Sequence, residues 1–268
     1  MVRKLYKHEF LALFKWIIPL NLLCLVLAML TRINLEVSKS DINDVIAGIM
    51  AFAFVLSVIA LVTLSFVIVV SRFYKNLLSY EGYLTFTVPV SSATHIVCKL
   101  LCGTAVMLVS FVILGLSLGI VGSGAFEYFP GINLSYVPTH RIVMLAVSYG
   151  IYAVVYLMHG LLFTYAAMAL GQMSKKNRVV SAIGWYFVIN IGRSMIKNVI
   201  NGLMAMNSGA QSGGSIYIGG AYDVESAVMA VVDGLQFTAI SGIIEAVIWG
   251  AVFFGITYYI LTHKLNLE

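Results

Sequence analysis

The sequence predicts an all-α, polytopic membrane protein with six transmembrane helices. Three observations lead there. Of its 268 residues 61% are hydrophobic and only 10% are charged, with a mean hydropathy of +0.98, whereas globular domains carry about 25% charged residues. The length is consumed by six apolar runs, each long enough to cross a hydrocarbon core of roughly 30 Å. Lys and Arg gather at alternate ends of those runs, as the positive-inside rule requires of successive crossings. One membrane domain covering residues 1–268 is the natural reading.

The elements follow in chain order. Residues 1–15 place Arg3, Lys4, Lys7, His8 and Lys15 on one helical face and Val2, Leu5, Tyr6, Phe10, Leu13 and Phe14 on the other. Such a basic amphipathic helix is expected to lie along an anionic cytosolic leaflet. No small-residue cleavage pattern follows it, so the first span, Trp16 to Leu30 with Pro19 near its start, is expected to be retained. A polar loop leads to the second span, Val45 to Val70. The third runs from Thr94 to Val121 behind a cap at Ser91 or Ser92, and the fourth from Arg141 to Leu170. After the basic turn QMSKKNR, the fifth covers Val179 to Ile200 and the sixth Leu235 to Leu261.

Orientation comes from counting cations at span ends. With the N-terminus inside, the inner side holds Arg3, Lys4, Lys7, Lys15, Arg72, Lys75, Lys99, Lys175, Lys176, Arg178 and Lys264, eleven of the 16. The outer side keeps Arg32, Lys39, Arg141, Arg193 and Lys197. Both termini are therefore expected in the cytosol of a bacterial plasma membrane. The net charge of +5 serves topology, because the basic residues form no dense patch with interleaved aromatics and nucleic acid is not an expected partner.

Several functions are excluded by missing motifs. No GxxxxGK[ST] is present, so the chain cannot cradle nucleotide phosphates in the P-loop manner and is not expected to be an enzyme. HExxH is missing, and Gly122-Ser123-Gly124 sits in an expected outer loop without a histidine partner in the last span, which argues against intramembrane proteolysis. No channel filter or pair of broken half-helices is visible. Cys24, Cys98 and Cys102 lie within apolar runs without metal-ligand spacing, so they are expected to be reduced packing residues and no metal is expected.

Residues 72–92 are the most informative. Across Arg72 to Glu81 the side chains Phe73, Tyr74, Leu77 and Leu78 recur at helical spacing, Gly82 suits a helix C′ position, and Pro89 restarts the chain. A short amphipathic helix at the cytosolic membrane surface is expected, packed on headgroups and its own bundle or docked to a partner. Together with the opening KLYKHEF, the string FYKNLLSYEGYLTFTVPVS resembles the permease subunits of ABC-2-type ABC transporters of Gram-positive bacteria. The likeness is strongest over residues 72–99 and the first ten residues, and elsewhere rests on span count and layout.

That resemblance implies the rest of the functional reading. The first helix becomes a connecting helix, and the segment between spans two and three becomes the coupling helix that docks into an ATP-binding cassette subunit. Phe73, Tyr74, Lys75, Leu77, Leu78, Glu81, Gly82 and Tyr83 are then the ATPase-coupling residues. Two ATP-binding subunits would hold ATP and Mg, this chain would hold no cofactor, and a second permease chain, identical or homologous, would complete the pathway in the lipid bilayer. Among such systems the likeness is to exporters of amphipathic peptide toxins of the phenol-soluble modulin type. An immunity permease against antimicrobial peptides, or a non-transporting assembly or sensor protein, are the rival readings.

Two further expectations concern the outer half. The resemblance allows residues 201–234 to form re-entrant helices, for which Asp223 would be an N-cap and Gly234 a C′ stop, the alternative being an outer loop. Arg193 and Glu245 lie inside apolar spans, where an isolated charge costs roughly 2.5 to 3.5 kcal/mol. At 1.5 Å per residue, Arg193 lies roughly 20 Å along span five and Glu245 roughly 24 Å from the inner end of span six. Similar depth would let them pair in the outer half of the bundle, with Lys197 one turn beyond, either lining the substrate path or locking spans five and six together.

Overall fold

The computed structural model of the protein describes residues 2–37, 41–78, 91–123, 137–174, 177–208 and 224–263. Those residues are helical, with six helices long and apolar enough to cross a membrane. They are α1 (Val2–Val37), α2 (Asp41–Phe73), α3 (Ser92–Gly122), α4 (Thr139–Gly171), α5 (Arg178–Ser208) and α6 (Val224–His263). They form two compact units of three helices, α1–α3 and α4–α6.

Each helix runs past the limits read from hydropathy, because backbone groups at a membrane surface are still satisfied within the helix. The amphipathic N-terminal stretch and the first span form one uninterrupted helix of 36 residues, about 54 Å long. Its apolar face is turned onto protein, with Leu13 and Ile17 buried, while Arg3, Lys4, Lys7 and His8 stay exposed. Ser91 caps α3 by accepting from the Thr94 backbone N–H at 3.4 Å, satisfying one of the four orphan donors at that helix start.

The last helix corrects an expectation. Val224 to Gly234 is the first part of α6, which continues for 40 residues through Gly234 to His263. Gly234 stays out of the left-handed region that a C′ residue adopts. A lone glycine inside a long helix costs only about 1 kcal/mol against alanine, so the flanking apolar turns carry the helix through. Asp223 and residues 209–222 lie outside the described residues.

In the first unit α1 and α3 pack side by side in parallel and α2 runs against α1. The core is small in cross-section: Cys24, Ala28, Phe54 and Leu61 are fully enclosed, with Leu20, Leu27, Val58, Leu114 and Val121 around them. Small residues at such a seam let helix backbones approach. Hydroxyls inside it are satisfied without water, as when Thr31 donates to its own Leu27 carbonyl at 2.8 Å, with the Met50 carbonyl of α2 at 3.2 Å.

In the second unit α4 and α6 are the parallel pair and α5 leans mainly on α4. A Cβ on Gly171 would lie 2.6 Å from the Ala182 Cβ, and a Cβ on Gly242 would lie 2.5 Å from the Tyr152 ring. Each close approach exists because glycine leaves the room. Residues 161–169 of α4 are all buried, whereas most of α5 is exposed and strongly apolar, as at Val180, Phe187 and Met195. An apolar exterior of this kind is suited to hydrocarbon and would be an aggregation hazard in water.

Gly171→Val should therefore push α5 off α4 at a cost of about 1–3 kcal/mol or more. Gly184→Ala, where nothing lies within 4 Å of the added carbon, should be neutral or slightly stabilising. The fraction remaining monodisperse after graded heating in detergent checks this: only the Gly171 variant is expected to fall early.

Candidate functional site

Two polar constellations stand inside otherwise apolar helices, one in each unit. The first lies where the N-terminal end of α1 meets the end of α2 and the start of α3. Glu9 reaches inward from α1 with only 13% of its side chain exposed, and Lys99 of α3, 6% exposed, donates to its Oε1 at 2.8 Å. Asn76 donates to the same oxygen at 3.1 Å. Arg72 brings its guanidinium within 3.7 Å of Glu9 Oε2. One carboxylate thus joins three helices.

The chain between Phe73 and that cluster is wound to suit. After Phe73 the last turn of α2 widens into a π-helical turn, Tyr74–Leu78, whose i→i+5 bonding stacks residues five apart. In a regular α-helix Phe73 and Leu78 would point about 140° apart. The wider turn brings Phe73, Leu77 and Leu78 inward together, and all three are buried at 1% exposure or less. Tyr74 is half-buried and Lys75 is exposed.

These placements divide the sequence-predicted coupling residues. Phe73, Leu77 and Leu78 are packing residues of the first unit, so the amphipathic pattern reflects burial in the chain's own bundle, and helix α2 supplies it without a break. Lys75 is exposed and Tyr74 half-buried. Glu81, Gly82 and Tyr83 lie outside the described residues. Glu9 and Asn76 were absent from the sequence reading. The available signal was a lone acid on a basic helix and a lone lysine, Lys99, inside an apolar run, two oddities that neutralise one another.

The second constellation joins all three helices of the other unit. Lys197 of α5 donates to Glu245 Oε2 of α6 at 2.7 Å. Arg193, one turn earlier, lies 2.9 Å from His159 Nε2 of α4. A guanidinium cannot accept a hydrogen bond, so Nε2 is the acceptor. The His159 ring is buried and stands 5.6 Å from Phe253 and 6.0 Å from Tyr156.

Arg193 and Glu245, which similar depth would have allowed to pair, instead make separate cross-helix contacts, and among the described residues no ion pair joins those two. Depth could not have decided it. Lys197 lies roughly 27 Å along span five, so Glu245 at roughly 24 Å stands about equally far from both cations. The face decides: Arg193 shares a side of α5 with Ala182 and Tyr186, which meet Gly171 and Phe163 of α4, and Lys197 is turned toward α6.

Removing the Glu9 carboxylate should strand Lys99 as a buried charge. Glu9→Ala is expected to destabilise by about 3–5 kcal/mol, and adding Lys99→Met should recover most of it, as read from thermal unfolding in detergent. In the other unit, exchanging partners as Lys197→Glu with Glu245→Lys should keep assembly intact, while Glu245→Ala alone should lower the yield of folded protein. Size-exclusion profiles at matched expression distinguish these outcomes.

No protein-family model matches the chain, no curated protein matches its sequence, and no solved structure matches its fold.

Proposed function

We propose that the chain is the membrane-embedded permease subunit of an ATP-driven exporter of the ABC-2 type, with both termini in the cytosol of a bacterial plasma membrane. Two copies, or one copy with a homologous chain, would form the pathway. ATP and Mg would be handled by two separate ATP-binding subunits, and amphipathic or hydrophobic peptides are the cargo class that suits the aromatic, apolar helices. The reading is supported by six membrane-compatible helices, by the lack of a nucleotide-binding motif on the chain, and by the likeness of its first ten residues and of residues 72–99 to such permeases.

The observation that carries it is the knot around Glu9. A permease driven from outside must receive force at a surface segment and pass it to several helices at once. Residues 79–90 follow immediately on Leu78, and the turn before them is pinned to α1 and α3 through Asn76, Arg72, Glu9 and Lys99. Packed interfaces of this kind move as units and do not deform continuously. Lys75, exposed on that turn, together with Tyr74, Glu81 and Tyr83, would meet the ATPase, with Phe73, Leu77 and Leu78 as the rigid backing.

The test is purification of the tagged chain from its native membrane, with identification of co-purifying proteins and assay of ATP hydrolysis. A P-loop ATPase in near-equal amount is expected. Lys75→Glu should keep wild-type yield and monodispersity yet lose most of the ATPase, whereas Leu78→Asp should lose folded protein. A pure single chain without ATPase activity, under conditions that preserve other complexes, would sink the proposal.

A further inference from the structure

The N-terminal end of α1 carries charge of one sign. Between Val2 and Asn34 its only carboxylate is Glu9, against Arg3, Lys4, Lys7, Lys15 and Arg32. Glu9 is drawn inward by Lys99 and Arg72, so it neutralises none of the cations on its own helix. Arg3, Lys4 and Lys7 are exposed, and among the described residues no ion pair reaches any of them. This end of the helix presents uncompensated positive charge.

Beside that charge an open groove of about 320 Å³ runs along the seam of α1 and α3, lined by Tyr6, Lys7, Phe10, Leu101, Cys102 and Ala105. Among these lining residues only Lys7 is charged. The floor closes where the Cys102 thiol donates to the Tyr6 backbone carbonyl at 3.8 Å, and Leu101, on the α3 wall, is an exposed apolar side chain. Polarity changes in order along the groove. Arg3, Lys7, Phe10 and Phe14 follow at spacings of four, three and four, which makes one stripe about 16 Å long. Two cations come first, then two rings with centroids 4.8 Å apart.

We propose that this groove seats one anionic phospholipid of the cytosolic leaflet, with its phosphate on Lys7 and the head of one acyl chain against Phe10, Leu101 and Ala105. Charge selects the headgroup, because Lys7 and its neighbours lack a counter-ion. Direction agrees: with the N-terminus at the cytosolic surface, the cations stand at headgroup level and the rings lead into hydrocarbon. Size excludes the bulkier occupants. One turn of α-helix, 5.4 Å tall and about 10 Å across, takes up roughly 420 Å³, so no helical peptide or helix of another chain seats within the groove. A seated lipid differs from the diffuse attraction of a basic helix to a membrane, since it stays with the protein when the bilayer is removed. The inference rests on the cytosolic placement of the N-terminus and on no ATPase.

The test is native mass spectrometry of the full chain, purified in mild detergent and supplied with equal amounts of phosphatidylglycerol and phosphatidylcholine carrying the same acyl chains. One retained phosphatidylglycerol per chain is expected, preferred over phosphatidylcholine by at least about fivefold, the worth of one cation near an anionic surface. Lys7→Gln should remove most of that preference. Lys15→Gln makes the same charge change at an exposed position of α1 that does not line the groove, and should leave the preference intact. Ala105→Leu and Ala105→Trp, which fill the groove stepwise, should lower retention in that order. If the Ala105 variants do not fold, the two lysine variants decide.

Equal retention of the two lipids would overturn the proposal. So would equal losses from Lys7→Gln and Lys15→Gln, which would mean diffuse attraction to the whole basic helix, or unchanged retention in folded Ala105 variants, which would place the lipid elsewhere. A dimer that carries no lipid, in a preparation whose phosphatidylglycerol is in excess, would mean that a second copy covers the groove. If the lipid is retained as expected but no ATPase co-purifies, the groove stands and the permease reading falls.

Discussion

The buried carboxylate of Glu9 is the constraint on which the first half of the molecule depends. A carboxylate taken out of water is costly unless opposite charge and hydrogen-bond donors replace its hydration. Here Lys99, Asn76 and Arg72 do so from two other helices. Lys99 has the same need in reverse, being almost fully enclosed. Neither group can leave without stranding the other, so α1, α2 and α3 are tied at one end. Further along the unit the seam is held by close contact of small and apolar residues, which is adaptable, whereas the polar knot has one geometry.

That knot also accounts for the local winding. Asn76 must reach Glu9 while Phe73, Leu77 and Leu78 all face inward, and a regular α-helical turn cannot present residues five apart on one side. The π turn does. Single π-helical turns inside helices commonly sit at functional places. This one immediately precedes the segment through which the proposed partner would act. Force delivered beyond Leu78 would meet a joint whose members share a carboxylate, and so would be felt by three helices.

The second unit uses charge differently. Its Lys197–Glu245 ion pair is half-exposed, with Lys197 at 52% and Glu245 at 29%, and α5, which carries the lysine, packs mainly against α4. Arg193 is anchored by a buried histidine amid aromatic rings. A tightly seated pair of helices, α4 and α6, thus supports a third, α5, that presents polar groups outward. Rigid support beneath an accessible polar face is how binding surfaces are generally built.

How much was legible in the sequence follows from which physics each feature obeys. Hydropathy is additive along the chain, so six spans could be read directly, and the cap of α3 was narrowed to Ser91 or Ser92, of which Ser91 serves. Helix ends were misplaced because helices at a membrane surface lose nothing by continuing, and the stop expected at Gly234 failed for the same reason. The burial of Phe73, Leu77 and Leu78 was hidden because an amphipathic pattern states that one face is covered without saying by what. Glu9 was overlooked among the basic residues beside it. Whether Arg193 or Lys197 meets Glu245 was not legible, because depth is encoded by residue count, whereas the facing side depends on packing that no single helix reveals.

The central claim, that an ATPase docks on the surface turn held by the Glu9 knot, is tested most directly by site-specific photocrosslinking at Lys75. With a benzophenone side chain at that position in cells, the account predicts an ultraviolet-dependent adduct between this chain and a P-loop protein, and none from the same probe at the exposed apolar position Val199. Adducts only with lipid or with another copy of this chain, in cells where the protein is folded and membrane-inserted, would contradict it.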